Sequence, residues 1–194
     1  MSNVTETDFT IHTLETAPEA SRPLLDKAHK TIGFVPGLFG VLAEAPKALE
    51  AYDVLGALFK ESSLTTTEQH VVWLTINYEN DCDYCVPAHT ALAKIDKVPD
   101  HVIDAVRDGT TITDPRLETL REFTVEVVRK RGWVTDGDVR AFLEGGYTRQ
   151  HILEVILGLS YKVISNYTNH IARTPVDRVF RKFAWTKPAA TRAA

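Results

Sequence analysis

Cys82 and Cys85 are the only cysteines in the 194 residues, and they stand three apart. Two cysteines placed at random fall at that spacing in about one case in a hundred. His89 closes the run Cys82-Asp83-Tyr84-Cys85-Val86-Pro87-Ala88-His89. On an α-helix these three residues lie at i, i+3 and i+7, within an arc of about 60°. Sulfurs that close can join without much chain movement. A thiol at a helix N-terminus has its thiolate favoured by unpaired amides and by the helix dipole. Asp81, a neighbouring negative charge, partly opposes this. His89, one turn beyond Cys85, can pass protons to and from sulfur near neutral pH. The chemistry is that of a dithiol. One thiolate attacks a peroxide oxygen or a disulfide sulfur. The second attacks the resulting sulfenate or mixed disulfide and closes Cys82–Cys85, and an external reductant reopens it.

The same residues have other readings. Two buried cysteines can simply pack. Cys82, Cys85 and His89 are also potential zinc ligands, although no second cysteine pair completes a four-cysteine set. Haem attachment needs His directly after the second cysteine, and residue 86 is Val. A thioredoxin-like domain needs a βαβ context, and this chain reads as helix after helix.

The elements that must hold the site follow from apolar periodicity and caps. Leu24, Leu25, Ala28 and Ile32 mark a helix over 21–32, stopped at Gly33. A short helix to about Glu44 follows the loop 33–37. Pro46 opens another helix through Phe59. Thr65 and Glu68 have capping-box spacing at the head of a helix over 66–79. Asn80-Asp81 ends it and leads into the cysteine-bearing helix, expected over 83–96, which Pro87 either starts late or kinks. Further helices are predicted over 101–108, from Asp114-Pro115 to Arg131, and from the Thr135/Asp138 box to Gly145. Thr148 caps the longest, 149–172, whose interior is apolar around most of its circumference. It is expected to be buried on more than one side, as a central helix or in a subunit interface. Thr174-Pro175 reads as the cap and first residue of a last short helix. The expected fold is all-α, a single-domain bundle of about 7–9 helices over 21–186. A polar segment, 1–20, precedes it, and a loose tail, 187–194, follows.

Composition sets the outer limits. Apolar residues at 44% and charged residues at 25% are ordinary globular values. A net charge of -4 argues against binding nucleic acid through phosphate contacts. No apolar run approaches the length of a membrane span. Met1 to Thr10 lacks the basic end and apolar core of a secretory signal. A cytoplasmic location follows. The dithiol reading requires no cofactor and no resident metal.

At this point the sequence resembles a family. Leu64-Thr-Thr-Thr-Glu68, the apolar run to Tyr78, and Asn80-Asp-Cys-Asp-Tyr-Cys-Val-Pro-Ala-His-Thr90 are similar to the alkylhydroperoxidase D-like, carboxymuconolactone decarboxylase superfamily. Gly33-Phe-Val-Pro-Gly-Leu-Phe39 resembles that family's upstream region, and the likeness covers roughly residues 30–110. The C-terminal helices, with Ser165-Asn-Tyr-Thr-Asn-His170 and Thr174-Pro-Val-Asp177, resemble an uncharacterised branch. The resemblance implies an all-α fold assembled as trimers or hexamers. It implies a thiol-dependent peroxidase or disulfide reductase, with a hydroperoxide or disulfide as substrate and a thiol protein or small thiol as reductant. Cys85 then matches the attacking cysteine, Cys82 the resolving one and His89 the relay histidine. The decarboxylase members lack the cysteine pair.

One position departs from that pattern. Peroxidase-like members carry a glutamate twelve residues before the first cysteine, and here that position is His70. A histidine accepts a proton but supplies no fixed negative charge. Glu79, one turn before Cys82, would face it if the helix were continuous, so His70 and Glu79 are the candidate assisting groups. Two other chemistries keep the fold: a Cys/His module that binds metal or senses redox state without turnover, and a decarboxylase-like enzyme. Asn166, Asn169 and His170 share one helix face and, beside Tyr167, line either a pocket or a subunit contact. His29, His101 and His151 have no evident partner, and Trp73, Trp133 and Trp185 read as packing residues.

Overall fold

The computed structural model describes residues 8–189. These form nine α-helices and two short 3-10 segments, with no strand among the described residues. The chain opens with a 3-10 turn, Glu19–Ser21, and α1 (Arg22–Ile32). Gly33 ends α1 at φ 90°, a left-handed conformation open to glycine. Then come α2 (Gly37–Leu42), α3 (Pro46–Lys60), α4 (Thr66–Glu79), α5 (Cys85–Ile95) and α6 (Asp100–Asp108). The rest is α7 (Pro115–Arg129), α8 (Asp136–Glu144), α9 (Arg149–Ala172) and a C-terminal 3-10 helix, Arg178–Phe183.

The expected capping boxes form. Thr65 Oγ1 accepts from the Glu68 amide, and Glu68 Oε2 accepts from the Thr65 amide at 2.8 Å. Thr135 and Asp138 do the same for α8. Thr148 heads α9, with the His151 ring in the place of the usual carboxylate, so His151 has a partner after all. His29 and His101 are exposed.

The central helix is α4, not α9. Every residue of α4 from Glu68 to Tyr78 is buried. On α9 the buried stripe is Val155, Gly158, Lys162, Ser165, Asn166 and Asn169, while Leu153, Ile156, Tyr167 and Ile171 are exposed. The apolar count of α9 was therefore a poor guide to its buried face, because that face is largely small and polar. Gly56 of α3 and Gly158 of α9 allow the two helices to approach. A Cβ on Gly56 would stand 2.9 Å from the Tyr161 ring, and one on Gly158 would stand 2.7 Å from the Phe59 ring.

The buried apolar residues form two clusters. One gathers Phe59, Val71 to Leu74 and Ile76 of α4, and residues of α6 to α8. The other gathers Leu25, Leu38, Leu42, Leu49 and Tyr52 around Cys82, Tyr84 and Cys85. Tyr161 packs against both.

Three expectations are corrected. The cysteine helix begins at Cys85, so Cys82 lies in the turn before it. Thr174-Pro175 starts no helix: residues 174–177 are irregular, and the 3-10 helix begins at Arg178. Asp177 is held instead by the Gly37 amide and the Tyr84 hydroxyl. Trp133 is 85% exposed beside Gly132, at φ 83°, and packs no core. Of the predicted tail, 187–194, residues 190–194 lie outside the described residues, as do residues 1–7 of the N-terminal segment.

Candidate active site

The cysteine turn is set by backbone first. Asp81 adopts φ 53°, which ends α4 and reverses the chain. The Cys82 amide then donates to the Asn77 carbonyl at 3.0 Å. The Cys82 sulfur accepts from the Cys85 amide at 3.3 Å, and its carbonyl accepts from the Val86 amide at 3.0 Å. Cys82 thus satisfies amides that begin α5. Pro87 is the third residue of α5, where an amide has no partner within the helix. It therefore costs no hydrogen bond and leaves α5 unbroken.

Both cysteines are free and buried, at 0% and 1% exposure. Cys85 lines a cavity of about 400 Å3, and Cys82 sits behind it. The cavity walls are largely apolar and aromatic: Leu38, Phe39, Tyr52, Trp73, Leu92, Tyr161 and Phe180. Tyr52 and Tyr161 stack with centroids 4.4 Å apart. Among its polar lining groups are His70 on α4, His89 on α5 and Lys162 on α9, with Lys27 of α1 and Asp53 and Lys60 of α3.

The two sulfurs share a hydrogen bond and titrate apart. Burial alone would raise the Cys85 thiol. The Cys82 hydrogen bond, the Lys162 ammonium and the amides of Asn169 and Asn166 outweigh burial and lower Cys85 to about 6. That same bond to Cys85, together with burial, pushes the Cys82 thiol far up. Of the two sulfurs, Cys85 is the one whose surroundings favour the thiolate and Cys82 the one held as the thiol.

Asparagines support this arrangement. Asn169 Nδ2 donates to Cys85 Sγ at 3.3 Å. Asn80 donates to Asn166, Asn166 to Asn77, and Asn77 to the Cys85 carbonyl, at 2.8, 2.9 and 3.5 Å. This relay ties α9 and α4 to the start of α5. Of the helix face singled out in the sequence, Asn166 and Asn169 belong to the site, whereas Tyr167 and His170 are exposed.

His89 is buried, and its Nε2 accepts from Lys162 Nζ at 2.8 Å. Burial, then the Lys162 charge, hold His89 well below its ordinary value, so it is neutral. His70 also lines the cavity, and its Nε2 donates to Asp96 at 2.7 Å. Burial lowers His70 despite that carboxylate. Cys85, His89 and His70 thus share one cavity. Glu79 does not join them: α4 ends there, and its carboxylate is held by Arg129 at 2.6 and 3.2 Å. Glu68 serves the capping box and also accepts from Arg116 and Tyr147. No group of three or more His, Cys, Asp or Glu is arranged to hold a metal ion among the described residues.

Lys162 is the site residue that the sequence reading passed over. It is 1% exposed. Its signal was a single cation between Leu157 and Ile164, in a stretch otherwise apolar or small.

A thiolate and a thiol under an aromatic cavity, held by an all-helical domain, define a dithiol protein of the helical-bundle class. Residues 43–126 match the model of the carboxymuconolactone decarboxylase family. The chain is similar in fold to the alkylhydroperoxidase AhpD core of an uncharacterized peroxidase-related protein from Ralstonia eutropha JMP134. That likeness has a TM-score of 0.79 at 22% identity, over 91% of this chain and 95% of that one. A peroxidase-related protein from Silicibacter sp. TM1040 gives 0.75 at 16% identity, over 93% and 97%. A cysteine-to-alanine variant of the debrominase Bmp8, in complex with 2,3,4-tribromopyrrole, gives 0.76 at 14% identity, over 94% and 97%. No curated protein matches the sequence. The chain is thus similar to the carboxymuconolactone decarboxylase family over residues 43–126, and it shares the fold of the alkylhydroperoxidase AhpD core.

Proposed function

We propose that the chain is a thiol-dependent oxidoreductase that reduces a small hydroperoxide or exchanges a disulfide. The observation that carries this reading is the placement of the cysteines: Cys85 lines the cavity, and Cys82 Sγ, just behind, accepts from the Cys85 amide at 3.3 Å. Cys85 Sγ attacks the terminal peroxide oxygen. The O–O bond breaks, and the leaving alkoxide takes a proton passed by His89, giving an alcohol and a sulfenic acid. Cys82 then attacks the Cys85 sulfur, the S–O bond breaks, and hydroxide leaves as water with the Cys82 proton. Two thiols become one disulfide. A thiol reductant, protein or small molecule, restores them through a mixed disulfide. His70, on the same cavity, assists in proton transfer. Glu79, tied to Arg129, is given no step.

Copies of the chain and a reducing cytoplasm complete the proposal. The exposed apolar residues of α9 support assembly, and the free thiols suit that compartment. No helix among the described residues is long and apolar enough to cross a membrane.

A pulse of organic hydroperoxide followed by mass spectrometry tests the reading. The wild type is expected to lose two alkylatable thiols and two daltons, reversibly. Cys82→Ser should stop at a trappable sulfenic acid on Cys85, and Cys85→Ser should not react. Turnover surviving in Cys85→Ser would overturn the mechanism.

A second reading rests on the aromatic cavity walls. A ring bearing a halogen suits them, as the tribromopyrrole complex of Bmp8 suggests for that protein. Two thiols would replace C–Br by C–H, with release of bromide, a proton and the disulfide. Bromide release from a bromopyrrole, with hydroperoxide left unreduced, would favour it.

A further inference from the structure

Lys162 poses a problem that the dithiol scheme does not address. Its ammonium is buried at 1% exposure, on the one helix face that points into the site. A buried charge without a counter-charge costs several kcal/mol. Lys162 Nζ donates to His89 Nε2 at 2.8 Å and stands over the Tyr161 ring, with the centroid at 4.9 Å. Neither group carries a negative charge. Burial holds Lys162 below its ordinary value, and the charges that oppose this and favour its ammonium are the two cysteine sulfurs, Cys85 first.

The surrounding groups leave no other counter-ion. From α3, Tyr52 and Lys60 line the cavity, and Asp53 is paired with Lys27 at 2.6 Å. From α4 comes His70, whose Asp96 partner lies just beyond α5. The cysteine turn brings Tyr84, whose hydroxyl donates to Asp177 at 2.5 Å. From α5 come Cys85 and His89, and from α9 Tyr161 stands beside Lys162. Each carboxylate in this ring is already held by a donor other than Lys162.

We propose that Lys162 is the positioning cation of the site: its buried ammonium keeps Cys85 ionised as its counter-charge and keeps His89 neutral by donating to Nε2. This rests on the oxidoreductase reading and deepens it. Lys162 is also the proton source behind His89. As His89 Nδ1–H gives its proton to the leaving alkoxide, Nε2 takes one from Lys162. Once Cys82 has displaced water and no thiolate remains, the neutral amine is the cheaper buried form.

The test reads ionisation without any substrate. Cys85 is alkylated with iodoacetamide across pH 5 to about 9, and the modified site is quantified by mass spectrometry. Wild type, Lys162→Met and Lys162→Arg are compared as full chains, with folding checked by circular dichroism. The wild-type midpoint is expected near 6. Lys162→Met should move it up by at least about one unit, a tenfold loss of thiolate below the midpoint, and Lys162→Arg should recover most of it. A folded Lys162→Met that titrates like wild type would overturn the proposal.

Should Lys162→Met fail to fold, the reciprocal variant decides. Cys85→Ser strands the ammonium, whose folded-state pKa then lies below its unfolded value. Its melting temperature should fall below wild type at pH 7, and the gap should close towards pH 10 as Lys162 loses its proton. An equal gap at both pH values overturns the assignment. The two proposals separate cleanly. A shifted titration with neither hydroperoxide nor disulfide consumed keeps Lys162 and sinks the oxidoreductase reading. Turnover with an unshifted titration does the reverse.

Discussion

At the scale of single residues, the site separates two sulfurs three residues apart by what touches each. Cys82 is spent on the amide of Cys85, while Cys85 receives Asn169, the Cys82 thiol and the Lys162 charge. The asparagine is the simplest of these to alter. A hydrogen bond to a charged group is worth about 1.5–3 kcal/mol, so Asn169→Ala should raise Cys85 and slow its alkylation at pH 6 about tenfold. Asn169→Asp should be slower still, because it replaces a donor with a second anion. Equal alkylation rates in wild type and both variants would show that the bond contributes nothing to the thiolate. The sequence revealed the cysteines and His89 because rare types at tight spacing are visible in one dimension. Lys162 is 73 residues from His89, and only the fold joins them. Glu79 was misread for a related reason. It was a candidate only if one helix ran on to Cys82, but Asp81, at φ 53°, ends α4 there and Arg129 takes the carboxylate.

At the scale of elements, helix positions were largely legible because their ends carry local chemistry. Thr65, Thr135 and Thr148 cap α4, α8 and α9, and Pro46 and Pro115 stand in first turns. The head of α5 was not legible, since its capping group is a sulfur and its proline sits where no amide is needed. Which face each helix buries was the harder matter. α9 buries Gly158 and Lys162 while exposing Leu153, because its close approach to α3 selects small residues. Gly158 measures that approach. Alanine gains about 1 kcal/mol over glycine in a helix interior, but a Cβ there lands 2.7 Å from Phe59 and 3.0 Å from Val72. Overpacking costs about 1–3 kcal/mol, so Gly158→Ala should lower the melting temperature by a few degrees. At exposed Gly137 the nearest group is Thr135 Oγ1 at 3.4 Å, so Gly137→Ala should leave it unchanged or raise it. Thermal melts that rank the two variants the other way would refute this account of α3–α9 packing.

At the scale of the whole molecule, reactive sulfur and access to it are decided by different parts of the chain. Both cysteines are buried, yet Cys85 lines a cavity wide enough for a small organic molecule. One wall is Phe180, from the C-terminal 3-10 helix, which packs on α5 and sets its ring 6.0 Å from that of Phe34. That segment is fastened through Arg107, whose guanidinium donates to the carbonyls of Phe183 and Ala184 and to Thr90 Oγ1. Trp185 Nε1 donates back to the Arg107 carbonyl at 2.8 Å. The sequence carried no sign of this strap, because Arg107 and Phe183 are 76 residues apart and each is ordinary alone. The strap is expected to limit the size of what reaches Cys85. Small alkylating agents and small hydroperoxides should react in the closed form, and bulky maleimides only when the strap lifts. Arg107→Ala removes the guanidinium bonds and leaves the cysteine turn untouched. It should raise the rate of bulky-maleimide labelling several-fold while the iodoacetamide rate stays within about twofold. If both rates rise together, Arg107 supports the whole α5 region rather than the strap. If neither changes, the path to Cys85 does not pass beneath the C-terminal segment, and a protein reductant must approach from another face.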